Sequence, residues 1–169
     1  MQLRTVALDH PDALKLIAEV QQEYVRRYGA EDGTPIDPRE FAAPRGTFVV
    51  GYLDGDAVAC GGWRTHDADE PDFADGDAEI KRMYVTPAAR GSKLSRVLLA
   101  ELEHRAAAAG HRRLVLETGT KQPEAIALYT SSGYTETANF GVYHYGPDSR
   151  CFSKDLVDAA SRAGAARRA

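Results

Sequence analysis

Between Ala78 and Leu102 the chain reads AEIKRMYVTPAARGSKLSRVLLAEL, and this stretch constrains the fold more than any other. Ala78–Thr86 has the composition of a β-strand and is closed by Pro87. From Gly91 onward Leu94, Val97, Leu98 and Leu102 share one helical face, and the helix runs through AAAAG to a stop at Gly110. A strand that turns within a few residues into a helix is a crossover unit, in which the helix must fold back onto a sheet. The turn between them holds Arg90, Gly91 and Lys93. A tight turn feeding a helix N-terminus leaves backbone N–H groups without partners and adds the positive end of the helix dipole, which suits a phosphate or pyrophosphate. An ordinary basic helix start reads the same way at this level. No GxxxxGK[ST] can be written here, so the turn is not a P-loop.

The elements around this unit define the class. Pro11 opens a predicted helix whose apolar stripe, Leu14, Ile17, Val20, Tyr24, Val25 and Tyr28, ends near Gly29. Residues 30–46, with Gly33, Pro35, Pro38, Pro44 and Gly46, read as loop or short helix. Thr47–Leu53 and Ala57–Thr65 are β-rich runs separated by Asp54, Gly55 and Asp56, a strong hairpin signal. Leu114–Leu116 is the short apolar run of a strand covered on both faces. A further helix follows from Gln122 to Gly133, and Tyr134–Thr137 and Cys151–Leu156 are the last predicted strands. From residue 47 the order is β, β, β, α, β, α, β, β. The expected fold is α/β (α+β), a mixed sheet with crossover helices, as one domain over residues 1–158. The Ala/Arg-rich tail 159–169 is expected to fray.

Composition excludes several alternatives. A 43% hydrophobic fraction and a formal charge of −4 over 169 residues suit a packed core rather than disorder. No apolar run approaches the length of a membrane span, and Met1–Val6 lacks the apolar stretch of a secretory signal, so a soluble cytoplasmic protein is expected. Cys60 and Cys151 form no metal-ligand spacing and read as reduced strand or core residues, and no metal is expected. Charge is uneven: Asp67–Glu79 holds seven acids and no Lys or Arg, whereas Ala159–Ala169 holds three Arg and no acid. No basic face of the kind nucleic acid requires is visible.

VTPAARGSKLSRVLLAELE followed by QPEAIALYTSSGY resembles the GNAT superfamily of acyl-CoA-dependent N-acyltransferases, over roughly residues 47–156. Its hallmarks are an Arg-Gly-x-Gly-x-Gly/Ala turn after a strand and an Asn-x-x-Ala-x-x-Leu-Tyr-x-x-x-Gly-Phe/Tyr helix after the next one. The resemblance implies a mostly antiparallel sheet with a splay between two parallel central strands, and transfer of an acetyl group from acetyl-CoA to a primary amine of a small molecule or peptide. It implies that Arg90, Gly91, Ser92, Lys93, Leu94, Ser95 and Arg96 hold the pyrophosphate, with Gln122 at the motif's Asn position. A backbone N–H within Met83, Tyr84 and Val85 would meet the carbonyl oxygen. Tyr129 would be the general acid and Glu79 the general base. Lys93 and Ser95 replace small residues of the turn, and if residue 93 needs positive φ, a Lys there costs about 1–2 kcal/mol.

Glu117, at the carboxyl end of a predicted parallel strand, is the rival base or a contact to the substrate amine. Tyr143, beside His144 and Tyr145, forms a candidate lip of the acceptor site or else fills the sheet. Trp63 is core or pocket floor, and His10, His66, His104 and His111 are expected to face solvent. The acidic segment favours a cationic acceptor if it lies near the site, and is a solvated loop otherwise. A homodimer is compatible with the family, while nucleic acid and membrane are not expected partners. The alternative function is a non-catalytic GNAT-like module that senses CoA or an amine.

Overall fold

The computed structural model describes residues 1–66 and 72–156. Its elements are β1 (Gln2–Thr5), α1 (Pro11–Tyr28), β2 (Gly46–Leu53), β3 (Asp56–Thr65), β4 (Asp77–Val85), α2 (Leu94–Ala108), β5 (Arg113–Gly119), α3 (Pro123–Ser131), β6 (Thr135–Thr137) and β7 (Ser149–Asp155). The strands form one sheet in the order β1-β2-β3-β4-β5-β7-β6. Every neighbouring pair is antiparallel except β4 and β5.

Local chemistry explains most of these elements. The His10 side chain caps α1 by accepting from the Asp12 N–H at 3.2 Å, Pro11 occupies the first turn, and Gly29 ends the helix at φ 83°. Asp54 and Gly55, at φ 50° and 93°, make the two-residue turn that joins β2 to β3. β1 is an edge strand that residue pattern did not predict. The acid run from residue 67 does not remain a loop to its end, since Asp77 and Glu79 lie within β4 and are buried.

The sheet has two apolar faces. Leu16 and Val20 of α1 pack with Phe48, Val50, Cys60 and Tyr84 on one. On the other, Leu98, Leu99 and Leu102 of α2 pack with Val49, Ala59, Ile80, Val85, Leu114, Leu116 and Tyr129. Trp63 is core, 3% exposed, with its ring 4.8 Å from that of His111. Among the described residues both cysteines are free and buried.

Two irregularities shape the centre. Ile80 and Val85 share the α2 face although an odd number of positions separates them, while Tyr84 faces α1. The register of β3 against β4 shifts between Cys60 and Gly62, and Arg82 stands at φ 55°. This is a β-bulge, one extra residue that resets the alternation. The second irregularity is the parallel pair itself, which ends at Ile80 and Leu116 although β4 runs on to Val85 and β5 to Gly119. Beyond that point the two strands splay, and the backbone edge of β4 facing the gap has no strand partner among the described residues.

Candidate active site

The splay opens two cavities that share a wall. One, of about 240 Å³, is a groove bordered by Met83–Val85 of β4, by Arg90, Gly91 and Lys93 of the turn, and by Leu94 and Ser95 of α2. The other, of about 350 Å³, lies between the separated strands and is closed by the end of α1, the segment after it, and the β6–β7 connection. Met83, Gln122, Ala125 and Tyr129 border both. Tyr129 is 7% exposed, with its hydroxyl 4.0 Å from the Met83 sulfur. Burial, with the Glu117 charge nearby, pushes its phenol above the ordinary range.

The groove has the construction of a phosphate site. Among the described residues, no hydrogen bond within the protein takes the N–H groups of Gly91, Ser92 or Lys93, and α2 begins without a side-chain cap, leaving Leu94 and Ser95 as well. Gly91 has φ 84° with open space where a Cβ would point, so a ligand can approach its backbone closely. Arg90 is held back, paired with Glu23 of α1 and donating from Nε to the Val85 carbonyl at 3.1 Å. Ser92 and Arg96 do not border the groove: the Ser92 hydroxyl donates to the Ala89 carbonyl at 2.6 Å, and Arg96 reaches Ser131 at 2.7 Å.

Lys93 is exposed and stands at φ 63°, the left-handed region that disfavours a side chain. Lys93→Gly is therefore expected to stabilise the ligand-free protein by about 1 kcal/mol, while weakening acetyl-CoA binding several-fold by removing a cation from an anion site. Thermal melts with and without acetyl-CoA read both effects. A fall in the ligand-free melting temperature would show that the Lys side chain, not the strain, dominates.

Glu117 borders the 350 Å³ cavity, is partly buried, and accepts from the Ser149 hydroxyl at 3.1 Å. Burial raises its pKa above the ordinary carboxylate range, with Lys81 pulling the other way. Glu79 has very different surroundings. One of its oxygens accepts from Arg64 Nε at 3.0 Å and lies 2.9 Å from His66 Nε2, and the other lies 3.3 Å from Lys81 Nζ. Burial alone would raise its pKa, but the His66 hydrogen bond and the charges of Lys81 and Arg64 outweigh it and hold the group at about 2. Glu79 faces a third cavity, of about 310 Å³, which touches the second through Lys81, Glu117 and Tyr143.

Tyr143 borders the 350 Å³ cavity from a short 3-10 turn rather than filling the sheet, and its hydroxyl accepts from the Gly33 N–H at 2.7 Å. Tyr145 is 94% exposed. Two of the four histidines expected to face solvent do not: His66 is bonded to Glu79 and stacked on Phe73 at 3.5 Å, and His111 packs on Trp63. Sequence reading placed Tyr24 and Tyr28 in the apolar stripe of α1 and gave Asp32 and Arg82 no role, yet all four border the cavity. Gly119 admits Tyr28, because a Cβ there would sit 2.0 Å from the tyrosine oxygen.

A family description, the acetyltransferase (GNAT) family, matches residues 17–134. The chain belongs to the GNAT acetyltransferase family. Among similar proteins, an IAA acetyltransferase of Azospirillum brasilense is 39% identical over 147 residues, covering 85% of this chain and 91% of the relative. A Klebsiella pneumoniae structure described as an acyl-CoA N-acyltransferase is 30% identical, with a TM-score of 0.73 over 92% of this chain and 97% of its own. A Salmonella typhimurium acetyltransferase solved with its cofactor acetyl-CoA shares the fold at a TM-score of 0.68 and 20% identity, over 94% and 95% of the two chains. GNAT acetyltransferases use acetyl-CoA, and the unpaired N–H groups of the 91–95 turn fit its pyrophosphate. Among the described residues no His, Cys, Asp and Glu cluster suits a metal, and no helix is long and apolar enough to cross a membrane.

Proposed function

We propose that this GNAT acetyltransferase acetylates a primary amine by direct attack, with Glu117 as general base and Tyr129 as general acid. The observation that carries this is the position of Tyr129 on the wall common to the two cavities, with Glu117 bordering the one that does not reach the 91–95 turn. Acetyl-CoA supplies a thioester carbonyl carbon open to attack by a neutral amine.

An alkylamine has a pKa of about 10.4 and is protonated near neutral pH, so a base must take one of its protons. Glu117 is more basic than an ordinary carboxylate because it is partly buried. Glu79, the base expected from sequence, is ill-suited in this reading, since Arg64, His66 and Lys81 already satisfy its carboxylate. As the amine nitrogen bonds to the carbonyl carbon, negative charge grows on the oxygen, and a β4 N–H past Ile80, in the Met83–Val85 segment, is free to donate to it. The carbon–sulfur bond then breaks, and the Tyr129 hydroxyl is placed to protonate the leaving thiolate. The unpaired N–H groups of residues 91–95 and Lys93 hold the pyrophosphate, and Arg90 joins them if it leaves Glu23.

Thiol release from acetyl-CoA against a panel of primary amines tests the reading. Binding of acetyl-CoA without release for any amine would make the protein a sensor instead. Tyr129→Phe is expected to lower kcat by about two orders of magnitude and to leave the acetyl-CoA Kd within a few-fold of the parent. Equal loss of binding and turnover would reduce the ring to packing.

Asp77 is neutralised by Arg113 at 2.6 Å and Glu79 by its three partners, so two of the seven acids of the run are not available to steer ligands. Residues 67–71, which carry three others, and the tail 159–169 lie outside the described residues.

A further inference from the structure

The β4 bulge sets two consecutive cations, Lys81 and Arg82, on the wall of the 350 Å³ cavity. Each residue is 6% exposed. Arg82 pairs through Nη1 with Asp32, but its buried Nε has no hydrogen-bond partner among the described residues. Among the same residues the ionic contact of Lys81 is to Glu79 at 3.3 Å, and that carboxylate already serves Arg64 and His66. A carboxylate is the strongest partner that two cations lining one wall can take. The same cavity is lined by Glu117, and by Glu31, Asp32 and Asp148 nearer its rim, while Tyr24, Tyr28 and Tyr143 supply aromatic surface.

We infer that the acceptor is a free α-amino acid, with its carboxylate received by Lys81 and Arg82, its amine by Glu117, and its side chain by the tyrosines. This rests on the reading of the site as an N-acetyltransferase centre. An acceptor with only an amine would set no anion against Lys81 and Arg82, and a peptide N-terminus would place a neutral amide there. Carboxylate and amine lie on adjacent bonds in an amino acid, which matches a cavity whose walls carry both signs of charge.

The test measures kcat/KM by thiol release, with the parent protein, for matched trios: an amino acid, its carboxamide and its decarboxylated amine, across aromatic, aliphatic and basic side chains. The expected result is a preference of at least about a hundredfold for the free acid, as in sites that reject a substrate lacking the group their buried polar atoms await. Lys81→Met and Arg82→Gln should each shrink that acid-to-amide ratio, chiefly through a higher KM for the acid. If Arg82→Gln fails to fold at its strained position, Lys81→Met and the trios with the parent still decide. Equal rates across the trio, or preference for the amide, the amine or a peptide N-terminus, would overturn the carboxylate assignment and leave N-acetyl transfer standing. Absence of release with any amine would overturn both.

Discussion

Glu117→Gln lowers kcat by about two to four orders of magnitude, the usual contribution of a positioned base, and leaves acetyl-CoA affinity unchanged because Glu117 lies outside the turn groove. The substitution keeps the shape and the Ser149 contact, so it isolates the proton-accepting role. The pH profile carries the sharper signature. The working form of Glu117 is deprotonated and its pKa is raised by burial, so the rate of the parent climbs with pH along a limb lying above the ordinary carboxylate value of 4.5. That limb should vanish in the variant. A Glu117→Gln variant with the parent's limb and a rate within a few-fold would transfer the base role to Glu79 or to water.

Glu79→Gln is expected to act on stability instead. Its removal leaves Arg64 and Lys81, both with little exposed surface, facing a neutral amide, and breaking a buried ion pair in this way costs about 3–5 kcal/mol. The sign with pH follows from the depressed pKa. In the folded protein the group titrates at about 2, against 4.5 for a free carboxylate, so its stabilisation is complete above about pH 4.5 and is lost as pH falls toward 2. Chemical denaturation between pH 7 and pH 3 should show this acid loss in the parent and its absence in the variant. The catalytic limb assigned to Glu117 should stay in place. A variant with parental stability and a displaced catalytic limb would restore Glu79 as the base.

The contrast between these two carboxylates marks where sequence reading stops. The order of strands and helices from residue 47, the Asp54-Gly55 hairpin, the strand–turn–helix join around Gly91 and the helix that carries Tyr129 all follow from local signals. Periodicity, turn chemistry and two motifs at fixed spacing act over a few residues and need no knowledge of the fold. β1 had no such signal, since QLRT at a sheet edge shows no clean alternation and is ordered by pairing with Gly51 and its neighbours. The fate of Glu79 depends on register: Arg64 stands directly across from it in β3, and His66 two residues further on. Strand alternation counted back from a correct β3–β4 pairing would have exposed that cluster. Tyr24 and Tyr28 were legible as one helical stripe, but only the tertiary position of α1 turns the end of that stripe into a substrate wall. Arg82 was the least legible of all, because a bulge arises from how two strands meet.

That bulge gives β4 two reading frames. Before Arg82, even-numbered residues such as Ala78 and Ile80 face α2; after it, the odd-numbered Met83 and Val85 do. Deleting Arg82 alone would leave a regular strand with the same faces in and out, whereas flattening the bulge with every residue kept would turn the segment leading to residue 91 inside out, with Tyr84 driven into the α2 layer. Many substitutions along β4 change one contact each, whereas a change of length elsewhere in the strand, with the bulge kept, exchanges interior for exterior over a whole segment. The strand is therefore far more tolerant of spelling than of spacing.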